Sequence, residues 1–305
     1  MNILEIRDLQ MSFGTNQVLQ GLNMVVPEHS VFGLVGRNGA GKTTTMKIVL
    51  GLLEAQKGEV YVCGERVHYG TAKTNRYIGF LPDVPEFYGY MRPLEYLRLC
   101  GEITGLSSAQ IKAKSKELLE LVGLDGVNRR IGGFSRGMKQ RLGIAQALLN
   151  EPRLLICDEP TSALDPIGRR QILEILSAIR GQTTVVFSTH ILSDVERICD
   201  RIAVLEQGKL VLSGTLSEIQ KQHRRNSYSI RFASDQEAEE CAQNDELNNP
   251  QIQLTREGRS LIVSIEDSSR GGQELIDLLS KKQMVPERFE AMEPTLESLF
   301  EEVVQ

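Results

Sequence analysis

Apolar and polar positions alternate in two rhythms along the 305-residue chain. The segments "NILEIRDLQMSF" and "QVLQGLNMVV" switch face at nearly every residue, which predicts strands of a small antiparallel sheet. They feed "HSVFGLVG", whose apolar residues run together as in a buried strand, and "GEVYVCGERV" and "RYIGFLP" add two more strands. "PRLLICDEP" and "QTTVVFSTH" are also short apolar runs ending in polar residues. The helical "IGRRQILEILSAI" lies between them, so the pair reads as parallel strands joined by a crossover helix. "DRIAVLEQGKLVLSG" reads as a closing hairpin.

Between these α/β parts the period changes. "PLEYLRLCGEITG" and "SAQIKAKSKELLELVGL" repeat as helices, predicting a helical insertion over about residues 84–150. Past "KQHRRN" a second domain is expected, with 1–222 as the first domain and 223–305 as the second. Its segments read β-α-β-β-α-β, a small α+β domain of the ferredoxin-like kind, followed by a helix "PTLESLFEEVVQ" with proline at its start.

Composition narrows the function. Net charge is −5 and the pI about 5.6, so no basic excess advertises nucleic acid, and none is expected as a partner. Five scattered cysteines without C-x-x-C spacing argue against a disulfide framework or a structural zinc site. No basic-then-apolar leader opens the chain, and no apolar run approaches the roughly 20 residues of a membrane span. Any role at a membrane then requires spanning helices from another polypeptide.

Two stretches carry phosphate chemistry. "GRNGAGKT" fits G-x-x-x-x-G-K-[ST] between a predicted strand and a predicted helix, the context that gives the pattern meaning. Gly36, Gly39 and Gly41, with Arg37, Asn38 and Ala40 between them, let backbone N–H groups converge on phosphate oxygens, and the helix opening at Lys42, Thr43 and Thr44 adds its field. Lys42 would reach the β- and γ-phosphates, and Thr43 would offer a hydroxyl to Mg²⁺. The second stretch is "LLICDE". Asp158 suits a Mg²⁺ role, directly or through water, and Glu159 could hold the attacking water in line. As in other open α/β sheets, such residues belong at the carboxyl ends of the strands.

Over residues 1 to about 220 the chain resembles an ABC transporter ATPase subunit, carrying that family's motifs in the expected order: the P-loop, the signature in "FSRGMKQR", "LLICDE", "SALD" and a histidine after the next strand. The resemblance implies an α/β P-loop NTPase fold with an antiparallel β subdomain and helical insertion, and ATP and Mg as cofactors. It places Ser135, Arg136, Gly137 and Met138 in the signature, which acts on ATP held by a second ATPase subunit across a head-to-tail dimer. Arg136 and Met138 depart from the usual glycine and glutamine, in the manner of ATPases of ABC-2-type exporters. Asp165 falls at the dimer seam, and His190 matches the histidine that bonds the γ-phosphate and Glu159. Phe13 falls where the family stacks an aromatic on adenine, a position that sheet-core packing would equally fill. His29, His68 and His223 read as ordinary surface histidines.

Asp83 stands where the family usually has glutamine, which contacts Mg²⁺ and the water; it keeps an oxygen ligand but loses a methylene and adds charge. Beyond it Phe87, Tyr88, Tyr90 and Tyr96 crowd together in a chain with nine Phe, seven Tyr and no Trp. Two readings fit them: packing within the insertion, or a groove for a permease helix. The resemblance implies a separately encoded ABC-2-type permease contacted near Phe87, Tyr88 and Tyr90, an exporter, and a cytoplasmic location on the inner face of the membrane through that permease. A soluble ABC ATPase of translation or DNA repair is the alternative. Such relatives carry tandem ATPase units or long coiled coils, whereas this chain has one P-loop and no heptad repeat.

Overall fold

Two twelve-residue strands, β1 (Asn2–Phe13) and β2 (Asn16–Pro27), pair antiparallel and bury alternate residues, as the sequence pattern demands. The computed structural model describes residues 1–222, 226–244, 247, 252–265, 271–292 and 296–297. Its chain divides into two units, Met1–Leu216 and Ser217–Gln305.

In the first unit, β4 (Lys57–Val62) and β5 (Glu65–Arg66) extend the antiparallel sheet to the order β2-β1-β4-β5. A second sheet is built from β3 (Val31–Val35), β6 (Ile78–Leu81), β7 (Leu154–Cys157), β8 (Thr184–Thr189), β9 (Arg201–Glu206) and β10 (Lys209–Thr215). Its order is β10-β9-β3-β8-β7-β6, parallel except for the β9–β10 hairpin. Every residue of β3, β7 and β8 is buried, so their continuous apolar runs answer to cover on both faces.

The helices up to residue 222 are α1 (Lys42–Val49), α2 (Pro93–Ile103), α3 (Ser108–Leu121), α4 (Arg136–Leu148), α5 (Pro166–Ala178), α6 (Leu192–Ile198) and α7 (Leu216–Gln222), the last beginning at the end of the first unit and running into the second. Their starts are written locally. Ser107, Ser135 and Asp165 each cap a helix by accepting a backbone N–H three residues on, and Pro93 and Pro166 occupy first turns where no N–H is needed. α1 and α6 lack such a cap: their N-caps are Gly41 and Ile191, with no side-chain acceptor.

The second unit runs β11 (Asn226–Arg231), α8 (Asp235–Ala242), β12 (Ile252–Glu257), β13 (Ser260–Ile265), α9 (Gly271–Lys281) and β14 (Arg288–Met292). Its sheet is antiparallel in the order β12-β13-β11-β14, the split βαβ arrangement. Ile230, Phe232, Leu261, Val263, Leu275 and Leu279 form its core, distinct from the one between the sheets of the first unit. His223 lies outside the described residues. Of the helix expected from Pro294, only residues 296–297 are described, and they are helical.

Candidate functional site

Four parallel strands deliver polar residues to one end of the second sheet. β3 runs into the glycine loop, β7 into Asp158 and Glu159, β8 into His190, and β6 into Asp83. Register keeps them level: Val35 pairs with Thr189, and Cys157 with both Phe187 and Leu81.

The loop conformation requires its glycines. Gly39 and Gly41 have φ of +84° and +109°, and a Cβ on Gly36 would fall 2.4 Å from the Leu205 carbonyl oxygen. Lys42, only 5% exposed, folds back under the loop and donates to the carbonyls of Gly36 at 2.6 Å and Arg37 at 3.2 Å. These carbonyls are drawn inward by the ammonium, and the uncapped amides that open α1 lie beside it, an arrangement suited to an anion. Arg37, Asn38 and Gly39 are exposed at the loop's crest and Ala40 is buried beneath it; Thr44, on α1, is half-buried.

Thr43 Oγ1 donates to Asp158 Oδ1 at 3.1 Å, across 115 residues of chain. The same carboxylate oxygen accepts from Ser188 Oγ at 2.7 Å, and Ser188 Oγ in turn accepts the Glu159 N–H at 2.9 Å. Glu159 sits at φ +47°, a left-handed conformation that costs a non-glycine residue of order 1 kcal/mol. Its Oε2 accepts from His190 Nδ1 at 2.9 Å, so that nitrogen carries the proton, because a carboxylate only accepts. Oε1 lies 3.2 Å from the Lys42 ammonium yet accepts no aligned hydrogen bond, although it is buried. This leaves an acceptor position that a water can fill.

The signature residues and Asp83 form a second constellation. Ser135 Oγ accepts the Met138 N–H at 3.3 Å, Met138 Sδ accepts from Arg129 at 2.7 Å, and a Cβ on Gly137 would touch Leu164 at 3.8 Å. Arg136 pairs with Asp83 at 3.0 Å. Residues 36–43 pair instead with Asp158, Glu159 and Thr189. Of the three metal candidates, the structure thus joins Thr43 to Asp158 and turns Asp83 toward α4. Asp165 Oδ1 accepts the Gly168 N–H at 3.1 Å as the cap of α5. Phe13 ends β1 half-exposed, which removes the sheet-core reading of that residue.

Thr43 and Asp158 supply hard oxygen donors suited to Mg²⁺. Among the described residues no three His, Cys, Asp or Glu side chains cluster as a metal cage. An ion at Thr43 and Asp158 would draw its remaining ligands from phosphate and water.

A family model for ABC transporters matches residues 19–162, and one described as the C-terminal domain of DrrA1-3-like ATP-binding proteins matches residues 214–304. The chain is 40% identical over 229 residues to the uncharacterized ABC transporter ATP-binding protein YxlF of Bacillus subtilis, covering 75% of this chain and 76% of the relative. The chain belongs to the ABC transporter ATP-binding subunits. This ABC ATPase is also 37% identical over 226 residues to the bacitracin transport ATP-binding protein BcrA of Bacillus licheniformis, covering 73% of each. A solved ATP-binding subunit of an ABC transporter superposes with a TM-score of 0.65 at 35% identity, over 72% of this chain and 92% of that one. The α/β fold class expected from the sequence holds, and with it the activity of the family, ATP hydrolysis that powers transport.

Sequence reasoning overlooked two supports of the ABC ATPase site. Ser188 bridges Asp158 and Glu159; its signal was a hydroxyl two residues before His190 inside a wholly buried strand. Asp194, buried on α6, accepts from Thr161 and from Arg169, both at 2.7 Å, and so ties the turn after Glu159 to the helix after His190. The aromatic segment divides. Tyr96 is buried with Phe87 edge-on at 5.0 Å, whereas Tyr88 and Tyr90 are 54% and 69% exposed, and Val84 and Leu94 in the same stretch of chain are exposed as well. Among the described residues no helix is long and apolar enough to cross a membrane.

Proposed function

We propose that this ABC ATPase drives an exporter with separately encoded ABC-2-type membrane subunits, by closing two copies head to tail over two ATP molecules. The observation that carries this reading is the division of phosphate-binding groups into two constellations within one chain. Lys42, Glu159 and His190 gather at the glycine loop, while Ser135 to Met138 have partners of their own at Asp83, Arg129 and Leu164. A second set of donors facing a second copy makes nucleotide the bridge between subunits. Ser135 can do this while capping α4, since its oxygen accepts from Met138 and its O–H remains to donate. Asp165 and the neighbouring Leu164 lie at this seam.

Within the site, Lys42 and the loop amides hold the β- and γ-phosphates, and Phe13 lies against the base. Thr43 and Asp158 would hold Mg²⁺, whose charge would offset that of the phosphates. Glu159 takes the proton of the attacking water at Oε1, the buried oxygen with an open acceptor position. His190 fixes the carboxylate through Nδ1. To donate to a phosphate oxygen through Nε2 at the same time, the ring must carry both protons.

The permease docks on Tyr88, Tyr90, Val84 and Leu94, with Phe87 anchoring the segment to Tyr96. A cavity of about 410 Å³ opens beside it, lined in part by Pro85, Phe87 and Lys139. This dock holds the subunit at the cytoplasmic face of the membrane. Similarity to the bacitracin transport protein BcrA and to the linearmycin resistance protein LnrL of Bacillus subtilis supports outward transport.

The seam is tested by separating two defects. Lys42→Ala should weaken ATP binding by the monomer about 10- to 100-fold, the scale of a lost charge-assisted contact. Ser135→Arg should bind ATP as the unmodified monomer does and fail to dimerise, read by light scattering with ATP in a Glu159→Gln background. Equal loss of monomer affinity in both variants would put the signature on its own subunit's nucleotide and end the head-to-tail reading.

A further inference from the structure

Asp83 and Arg136 are both departures from the residues that resemblance to ABC ATPases leads one to expect, and they meet. Arg136 Nη2 donates to Asp83 Oδ1 at 3.0 Å across 53 residues. The contact belongs to a longer one. Gln140, fully buried, donates from Nε2 to the Asp83 carbonyl at 2.6 Å. Gly143 faces the same segment so closely that a Cβ there would meet Leu81 Cδ1 at 2.5 Å and Pro85 Cβ at 3.5 Å. Positions 136, 140 and 143 form one stripe of α4, at the spacing of a single helix face. That whole stripe rests on residues 81–85.

Physical chemistry explains why the charges come as a pair. Arg136 is the first residue of α4, where the helix field is positive and a cation is disfavoured. An aspartate carboxylate at the same helix end offsets both the guanidinium and the field. Either residue alone leaves an uncompensated charge beside Ser135. Together they cost little and pin the start of the signature helix to the loop leaving β6.

We propose that Asp83 and Arg136 are positioning residues that work as one unit, holding the start of α4, and with it Ser135 and Gly137, in register with the loop after β6. Asp83 therefore acts on turnover through α4 and not as a ligand of the nucleotide's metal. The proposal rests on the reading of α4 as part of the ATP-using machinery, whichever subunit's nucleotide it meets.

The test is a double-mutant cycle in the full-length chain. Asp83→Gln and Arg136→Gly, each made singly, should lower kcat for phosphate release about three- to fivefold, the scale of one partly exposed ion pair. ATP affinity should stay within about twofold. The double variant, which brings both positions to the usual family residues, should regain most of the wild-type rate. Raising salt from about 0.05 to about 0.5 M should narrow the gap between wild type and either single variant, since screening weakens the pair it retains. Amide exchange in the first turn of α4 should quicken in both single variants and slow again in the double. Losses that multiply in the double variant overturn the proposal. So does Asp83→Asn weakening Mg-dependent ATP binding, which would make Asp83 a metal ligand. Failure of the head-to-tail reading would appear in the Ser135 and Lys42 comparison and would leave this cycle intact.

Discussion

Among the described residues of Ser217–Gln305 every buried side chain is apolar, whereas Met1–Leu216 buries Lys42, Gln140, Asp158, Thr161, Ser188, Thr189 and Asp194 among others. A buried polar group without a partner costs about 1–3 kcal/mol, so these residues are tolerated only inside hydrogen-bond networks. The networks are long-range: Thr43 with Asp158, Glu159 with Ser188, Thr161 with Asp194. In the second unit the described core is apolar, and polar pairs lie toward the outside, as in Arg256–Glu239 and Arg288–Glu290, with one part-buried cross-strand bond between the Ser227 and Ser264 hydroxyls at 2.8 Å. Chemistry thus concentrates where the fold accepts polar burial, and among the described residues of the C-terminal unit the buried side chains are apolar.

The largest expected effect probes that contrast in the second unit. Phe232→Ala should destabilise Ser217–Gln305 by about 3–5 kcal/mol, the range for a fully buried aromatic, while ATP affinity and turnover stay unchanged. Calorimetry should show one unfolding transition moving and the other fixed; a joint shift would mean that the units unfold as one. Next comes the exposed patch of the first unit. Tyr88→Ser with Tyr90→Ser should release the subunit from permease-containing membranes by about 2–4 kcal/mol of affinity, the worth of two interface anchors, without moving its melt. Full retention on membranes would place the dock elsewhere. The smallest effect sharpens the comparison at one hydroxyl. Ser188→Ala should slow phosphate release about tenfold, ~1.4 kcal/mol, at nearly constant ATP affinity, because it removes the bond that holds the Glu159 amide. An equal loss of affinity would assign Ser188 to the phosphate end instead.

What could be read in the sequence was local or periodic. The glycine loop announces itself because its backbone geometry forbids side chains at Gly36 and Gly41, and the buried strands because β3 and β7 are apolar throughout. Ser135 and Asp165 lie in recognisable motifs, and the structure adds that each caps the helix that follows it. The network behind Glu159 was not legible. Ser188 and Asp194 are ordinary residue types, and only the folded register brings them to Asp158 and Thr161. Asp83 was the clearest mismatch for the same reason: its partner stands 53 residues away, and no local pattern links a loop carboxylate to the first residue of a helix. In the aromatic cluster, composition could not say which rings turn inward. Tyr96 lies on the buried face of α2, while Tyr88 and Tyr90 precede that helix and have no such face.

His190, Ser188 and Lys42 surround Glu159, the residue proposed to activate the water that attacks ATP. Steady-state phosphate release by Glu159→Gln, measured beside equilibrium ATP binding, tests that role most directly. Turnover should fall by at least ~10²-fold, the range for loss of a general base, with ATP affinity unchanged. Turnover near that of the unmodified protein, with ATP bound equally well, would contradict it.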